Sequence, residues 1–305
     1  MTEVDPDEAF TQGRALFDGF VRGDAMIGLI ADVPGTERAM LDALWTAAQA
    51  GRAPAYRTLA ECYLAALRTL GAFDGIDPAD ADARPWSADA RAIEDHDPSL
   101  QATLRAFAEA GRLGDRESTL QLARLTRHST EANQRRALAS LEALADPSPA
   151  ELYQRGLVHH WLGELEAAHA RHVEAADAGS SDAMFELYIL YAQGLGVAAD
   201  PVASRAWLDR AAAAEHPRAL YNLGAAHASG SEGAVDMAKA AAYYTRAADR
   251  GNGRAAATLA VMILGAEIDG TPEEAAGWLD RADEAGYPSW EMLDATGFDD
   301  PRTPA

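Results

Sequence analysis

The chain has one cysteine, Cys62, among its 305 residues. That excludes an internal disulfide and any cysteine-rich metal site. It also has one lysine, Lys239; every other strongly basic side chain is arginine. This bias and the abundant alanine fit a GC-rich bacterial genome. Bases are scarce altogether, 26 Lys and Arg against 48 Asp and Glu, for a net charge of −22. Such a surface repels phosphate backbones and anionic headgroups, so neither nucleic acid nor membrane is an expected partner. No apolar run nears the roughly 20 residues that cross a bilayer. The start, MTEVDPDEAF, is acidic and lacks the basic and apolar regions of a secretory leader. A soluble, cytoplasmic protein is expected. Catalytic signatures are missing as well: there is no G-x-S-x-G, no H-E-x-x-H and no G-x-x-x-x-G-K-[ST].

What the chain does have is a repeat. Leu187, Leu223 and Leu259 stand 36 residues apart, inside AMFELYILY, ALYNLGAAH and AAATLAVMI. PAYRTLAECY around Leu59 and ELYQRGLVHH around Arg155 fit the same frame, and STLQLARLT around Leu122 fits it weakly. A second pattern follows most copies: Ala47-Ala48 precede Gly51, Ala175-Ala176 precede Gly179, and Ala247-Ala248 precede Gly251. Ala211-Ala212 keep the spacing, but Glu215 stands where the glycine would be.

Each half-repeat reads as a helix, rich in Ala, Leu, Glu and Arg with apolar residues three and four apart. The glycine falls at the left-handed position past a helix end. Asp200-Pro201 and Thr271-Pro272 place an N-cap before a proline at N1, and Asp236 repeats Asp200. Gly194-Leu-Gly-Val-Ala-Ala matches the letters of a dinucleotide loop. It follows a helix rather than a strand, however, so it reads as a turn. Paired helices stacked without long-range pairing predict an all-α solenoid.

The stretch from Tyr191 to Asp200, followed by Ala206-Trp207-Leu208 and Ala211-Ala212, resembles a Sel1-like repeat, a branch of the tetratricopeptide-type helical repeats. The resemblance is clearest from 148 to 286. It implies a right-handed superhelix of antiparallel helix pairs and a protein-interaction scaffold or adaptor. The expected layout is N-terminal helical repeats or a cap at 1–72, an acidic Pro/Asp-rich insertion with Trp86 at 73–98, and divergent helical repeats at 99–147. Sel1-like repeats follow at 148–286. At 287–305 come a cap using Ser289, Trp290 and Met292 and a frayed tail. Trp207, Tyr243 and Trp278 are expected to pack near the repeat leucines.

In tetratricopeptide-type repeats the first helix of each pair lines a concave groove. Carried onto this chain, its inner face is Tyr153, Leu157, His160 and Trp161, then Phe185, Ile189 and Gln193, then Arg218, Tyr221 and Ser229. Toward the N-terminus it continues as Arg57, Glu61, Arg124, Arg127 and His128. This aromatic and arginine-bearing surface suits a protein or peptide partner with an apolar anchor and an acidic neighbour. The protein is expected to be non-catalytic, to hold no cofactor and to be monomeric. Two alternatives remain. One is an immunity-type inhibitor that blocks a basic enzyme through the acidic surface. The other is a metal enzyme using His159, His160, His169 and His172. Repeat alignment gives His172 the packing place of Leu208 and Tyr244, and Cys62 reads as a structural thiol.

Overall fold

The computed structural model describes residues 5–21, 35–69, 98–127, 129–231 and 233–303. Residues 73–97 of the expected insertion, Trp86 among them, and His128 lie outside the described residues. The described residues form fifteen helices and no strand. They are α1 Pro6–Val21, α2 Gly35–Gln49, α3 Ala53–Thr69, α4 Pro98–Arg112, α5 Arg116–Leu125, α6 Glu131–Glu142, α7 Pro149–Trp161 and α8 Leu165–Asp177. There follow α9 Ser181–Gln193, α10 Pro201–Ala213, α11 Pro217–Ser229, α12 Met237–Asp249, α13 Gly253–Leu264, α14 Pro272–Glu284 and α15 Ser289–Thr296. The chain divides into two compact units, Met1–Arg171 and His172–Ala305.

In the C-terminal unit consecutive helices pair as α9 with α10, α11 with α12 and α13 with α14. The helix starts are fixed by side chains. Asp200 accepts from the N–H groups of Val202 and Ala203 at 2.9 and 3.0 Å. Asp236 accepts from Lys239 at 2.9 Å, and Thr271 forms a capping box with Glu274. Each such cap contributes about 0.5–2 kcal/mol. The loops repeat as well: the Asp200 N–H donates to the Tyr191 carbonyl and that of Asp236 to the His227 carbonyl, both at 3.0 Å. Gly194 ends α9 with φ 71°, so the glycine pair of the dinucleotide look-alike is a helix C-cap and turn.

Glu215 adopts the left-handed conformation (φ 60°) that glycine takes at Gly251 (φ 86°). Its carboxylate offsets part of that strain by accepting from Arg246 at 2.6 Å and pairing with Arg250 at 3.4 Å.

The register follows helix position. Leu187, Leu223 and Leu259 are the seventh residues of α9, α11 and α13, and all three are buried. Burying such a side chain contributes about 1.5–3 kcal/mol. In α8 and in the second helices of the three pairs the eighth residue is buried: His172, Leu208, Tyr244 and Leu279. Trp207, Tyr243 and Trp278 stand one residue earlier and are only half-buried. Each lies under the guanidinium three residues on: Arg210 at 4.1 Å, Arg246 at 5.5 Å and Arg281 at 4.5 Å from the ring centre.

The C-terminal end departs from expectation. Leu293 closes the cluster of Ala260, Ala275 and Leu279 and Ser289 is buried, whereas Trp290 is 61% exposed and lies outside the cluster. The tail through Thr303 is pinned rather than frayed. Arg302 donates to Asp283 at 2.8 Å, Asp280 at 3.1 Å, Asp300 at 2.8 Å and the Ser289 hydroxyl at 3.0 Å. Four acceptors around one guanidinium hold a segment whose composition alone reads as loose.

The N-terminal unit packs two clusters. Met40, Leu44, Leu59 and Cys62 form one with α1, α2 and α3; Leu104, Phe107, Leu122, Leu138 and Val158 anchor the other across α3 to α7. Burial, chiefly, pushes the Cys62 thiol up to about 12, so it stays protonated near neutral pH, as suits a packed side chain.

Candidate interaction surfaces

The first helices carry the candidate residues, and each unit holds its own set. In the N-terminal unit α7 supplies Tyr153, Leu157, His160 and Trp161, α5 supplies Arg124, and Arg127 follows α5. Leu157 is buried and forms floor rather than surface. The Arg127 guanidinium lies 5.5 Å from the centre of the half-buried Trp161 ring. The Arg127 Nε and Gln154 Oε1 atoms are buried without a hydrogen-bond partner among the described residues. The residues around Arg127 are held from behind, since Gln134 donates to its carbonyl at 3.1 Å. Burial first, and then the Arg127 charge, pull His160 below the ordinary histidine range, so it is neutral at pH 7.

Arg57 and Glu61 do not extend this patch. Arg57 pairs with Asp115 at 3.3 Å, and Glu61 is paired with Arg14 at 3.3 Å and with Arg57 at 3.9 Å. Arg124 and Arg127 have no carboxylate partner among the described residues. The structure thus brings together Trp161, His160 and the Arg127 guanidinium, with Arg124 three residues before Arg127, on a chain of net charge −22.

In the C-terminal unit the expected aromatic surface is largely covered. Phe185 is 4% exposed, stacked on His216 at 4.6 Å, with the Arg218 guanidinium 4.8 Å from its ring. Tyr221 packs against Tyr244 at 5.3 Å and under Arg254 at 5.2 Å. Ile189 is half-buried; Gln193, Arg218 and Ser229 are exposed. Arg254 was absent from the sequence-derived set. Its signal was present: Phe185 to Arg218 and Tyr221 to Arg254 share one spacing, 33 residues. In both cases an arginine at the second position of one first helix covers the aromatic at the fifth position of the previous one.

The histidines are engaged separately. His159 Nδ1 lies 2.7 Å from Glu164, which also accepts from Arg135 at 3.1 Å; His172 is a buried packing residue. Among the described residues no group of three or more His, Cys, Asp or Glu side chains is arranged to hold a metal. No described helix is long and apolar enough to cross a membrane.

Stacked helix pairs with a 36-residue register define an all-α solenoid of the repeat type. Residues 181–216 and 217–252 each match the model of the Sel1 repeat, so this stretch of the chain carries two Sel1-like repeats. No curated protein matches it. Among solved structures, a Sel1 repeat protein from Oxalobacter formigenes is 22% identical, with a TM-score of 0.50 over 95% of this chain and 86% of that one. A protective antigen of uropathogenic Escherichia coli with an SLR fold is 16% identical, with a TM-score of 0.43 over 97% and 66%. The Pseudomonas aeruginosa protein PA5086 is 19% identical, with a TM-score of 0.39 over 74% and 88%. At these identities the Oxalobacter likeness speaks to the fold. Sel1 repeat proteins are in general protein-interaction scaffolds and typically non-catalytic.

Proposed function

We propose that this chain is a non-catalytic adaptor that binds an extended protein segment on the first-helix face of its N-terminal unit. The observation that carries the reading is the Arg127–Trp161 contact at 5.5 Å, with His160 close enough to feel the Arg127 charge. Tryptophan and arginine are the side chains most enriched at interface hot spots. Here both are half-buried, Trp161 at the end of α7 and Arg127 just past the end of α5. The partner segment carries an apolar side chain for the Trp161 surface and a carboxylate for the guanidinium groups. In the C-terminal unit Ile189, Gln193, Arg218 and the open edge of Tyr221 supply a second, more polar patch.

The test uses a fluorescein-labelled acidic octapeptide with one central leucine, followed by fluorescence polarisation. The reading expects saturable binding that Trp161→Ala with Arg127→Glu weakens by about tenfold or more, with thermal unfolding unchanged. A pull-down from the source cytoplasm with both proteins should lose the same partner. Equal peptide affinity and identical recovered partners would overturn the assignment.

A further inference from the structure

We propose that a cleft between the second helices α4 and α6 of the N-terminal unit binds a small organic dianion. The expected ligand bears a phosphate ester or two carboxylates on a compact apolar body. The cleft measures about 730 Å³, within the roughly 300–1,000 Å³ of small-molecule sites. It shares no residue with the first-helix patch and does not depend on the adaptor reading.

Its walls are Arg105 and Arg112 from α4, Arg116 at the start of α5 and Arg136 from α6, over a floor that includes Ala139 and Leu144. Glu109 is the one carboxylate in the lining, so the lining carries four positive charges against one. That local excess stands in a chain where acids outnumber bases almost two to one.

The four arginines are not equivalent. Arg116 is committed: it donates to both carboxylate oxygens of buried Glu151 and, at 3.1 Å, to the Asp146 carbonyl. Arg112 is half-committed, to half-buried Glu109 at 2.8 Å. Arg136 donates to the neutral Asn133 side chain at 2.9 Å. Arg136 and Arg105 have no carboxylate partner among the described residues. Two guanidinium forks therefore face the cleft with their charge uncompensated, and such forks match carboxylate and phosphate oxygens in pairs.

The frame is fixed before any ligand arrives. Glu151, clamped by Arg116, also accepts from the Ser148 N–H and hydroxyl at 2.6 and 2.8 Å, which ties the α6–α7 loop to the start of α5. A preorganised wall lowers the ordering cost of binding. Net charge then selects ligand size. A long polyanion meets the repulsion of the whole acidic chain, whereas a small dianion samples mainly the local field within a Debye length. The alanine and leucine floor favours an anion with an apolar body over a bare ion.

The experiment is isothermal titration of the full chain at about 0.15 M ionic strength, where the Debye length is about 8 Å, with two probes, phenyl phosphate and benzene-1,3-dicarboxylate, and with inorganic phosphate as a third. One-to-one binding of at least one aromatic probe with Kd below about 1 mM is expected, tighter than inorganic phosphate; which probe wins identifies the anionic group. Arg105→Gln with Arg136→Gln should weaken it by about tenfold or more. Ala139→Trp, which fills the floor from an exposed position, should abolish it. Arg124→Gln with Arg127→Gln should leave it unchanged, which separates this site from the first-helix patch. Absence of saturable binding by both aromatic probes overturns the proposal. So does inorganic phosphate binding as tightly as they do, or affinity within about threefold of wild type in the Arg105/Arg136 variant. Circular dichroism melting of each variant checks folding, and should Ala139→Trp not fold, the double arginine variant decides.

Discussion

Arg155 Nη2 donates to the carbonyl of Leu141 at 2.6 Å from the seventh position of α7, the position that Leu187, Leu223 and Leu259 hold in later first helices. Its Nε reaches the same carbonyl at 3.1 Å, and Nη2 also reaches that of Leu144 at 3.4 Å. The stem fills a leucine's place while the guanidinium joins the Leu144 N–H at the Leu141 carbonyl, reaches the Leu144 carbonyl beyond the helix, and sits at the negative end of α6. Two contributions are therefore separable. Arg155→Ala should lose both packing and cap, costing about 2–4 kcal/mol. Arg155→Leu should restore the packing and lose only the cap, about 1–2 kcal/mol. Urea unfolding midpoints of the two variants measure the difference; equal losses would mean the stem contributes no packing.

Arg302 makes the second prediction. Its hydrogen bonds hold Asp283 and Asp300 below the ordinary aspartate range. A carboxyl lowered in the folded state contributes stability above its unfolded pKa and loses it as pH falls through the folded value. The tail should therefore loosen as the solution is acidified below about pH 4. All these groups are partly solvated, so Arg302→Ala should cost only about 1 kcal/mol globally. Locally its effect should be larger: faster amide exchange across 287–303 at pH 7 in the variant than in wild type. Unchanged exchange would show that α15 packing through Leu293 holds the tail without Arg302.

Periodic features were legible from sequence because they are local. The seventh-position leucines, the Ala-Ala-Gly helix ends and the Asp200 and Asp236 caps each depend on spacing along one chain segment. That Glu215 takes the place of the repeat glycine was legible for the same reason; its left-handed backbone came with the structure. Availability was not legible. Phe185 and Tyr221 match the groove-lining positions, yet His216, Arg218 and Arg254 cover them, and coverage depends on neighbouring repeats. The Arg105–Arg136 cleft was hidden because it lies in the divergent stretch, where no repeat register predicts which helices meet. The order of the tail was hidden because one arginine, 13 to 22 residues from its partners Ser289, Asp283 and Asp280, outweighs a composition of Asp, Pro and Thr.

Histidine protonation makes the third prediction. His160 is pulled below its ordinary value by burial and then by Arg127; His169 is pulled down by burial. The unfolded chain then binds protons that the folded chain refuses, so stability rises with pH across the window and falls as pH drops from about 7 toward 5. His160→Gln with His169→Gln should flatten that part of the profile relative to wild type. Comparing the two proteins removes the common contribution of the −22 charge. The check is the difference in urea midpoint at pH 7.5 and at pH 5.0; identical pH slopes would show that neither histidine titrates differently on unfolding.

The last prediction sets two helical glycines against each other. Glycine costs about 1 kcal/mol relative to alanine inside a helix, so a Gly→Ala change gains that much wherever the new methyl has room. Gly277 in α14 is such a place, with nothing within 4 Å of an added Cβ. Gly224 in α11 is the opposite. An added Cβ there would stand 2.8 Å from two ring carbons of Tyr244, which is itself buried and packed against Tyr221. Forcing the α11–α12 pair apart costs about 1–3 kcal/mol, more than the propensity gain. Gly277→Ala should therefore raise stability by about 0.5–1 kcal/mol while Gly224→Ala lowers it by up to about 2 kcal/mol. Tyr244→Phe leaves the ring in place and should not rescue Gly224→Ala; Tyr244→Leu removes the ring and should rescue it in part. Parallel urea titrations of the five proteins test the argument. If Gly224→Ala proves as stabilising as Gly277→Ala, the close packing of α11 on α12 is not what fixes glycine at that position.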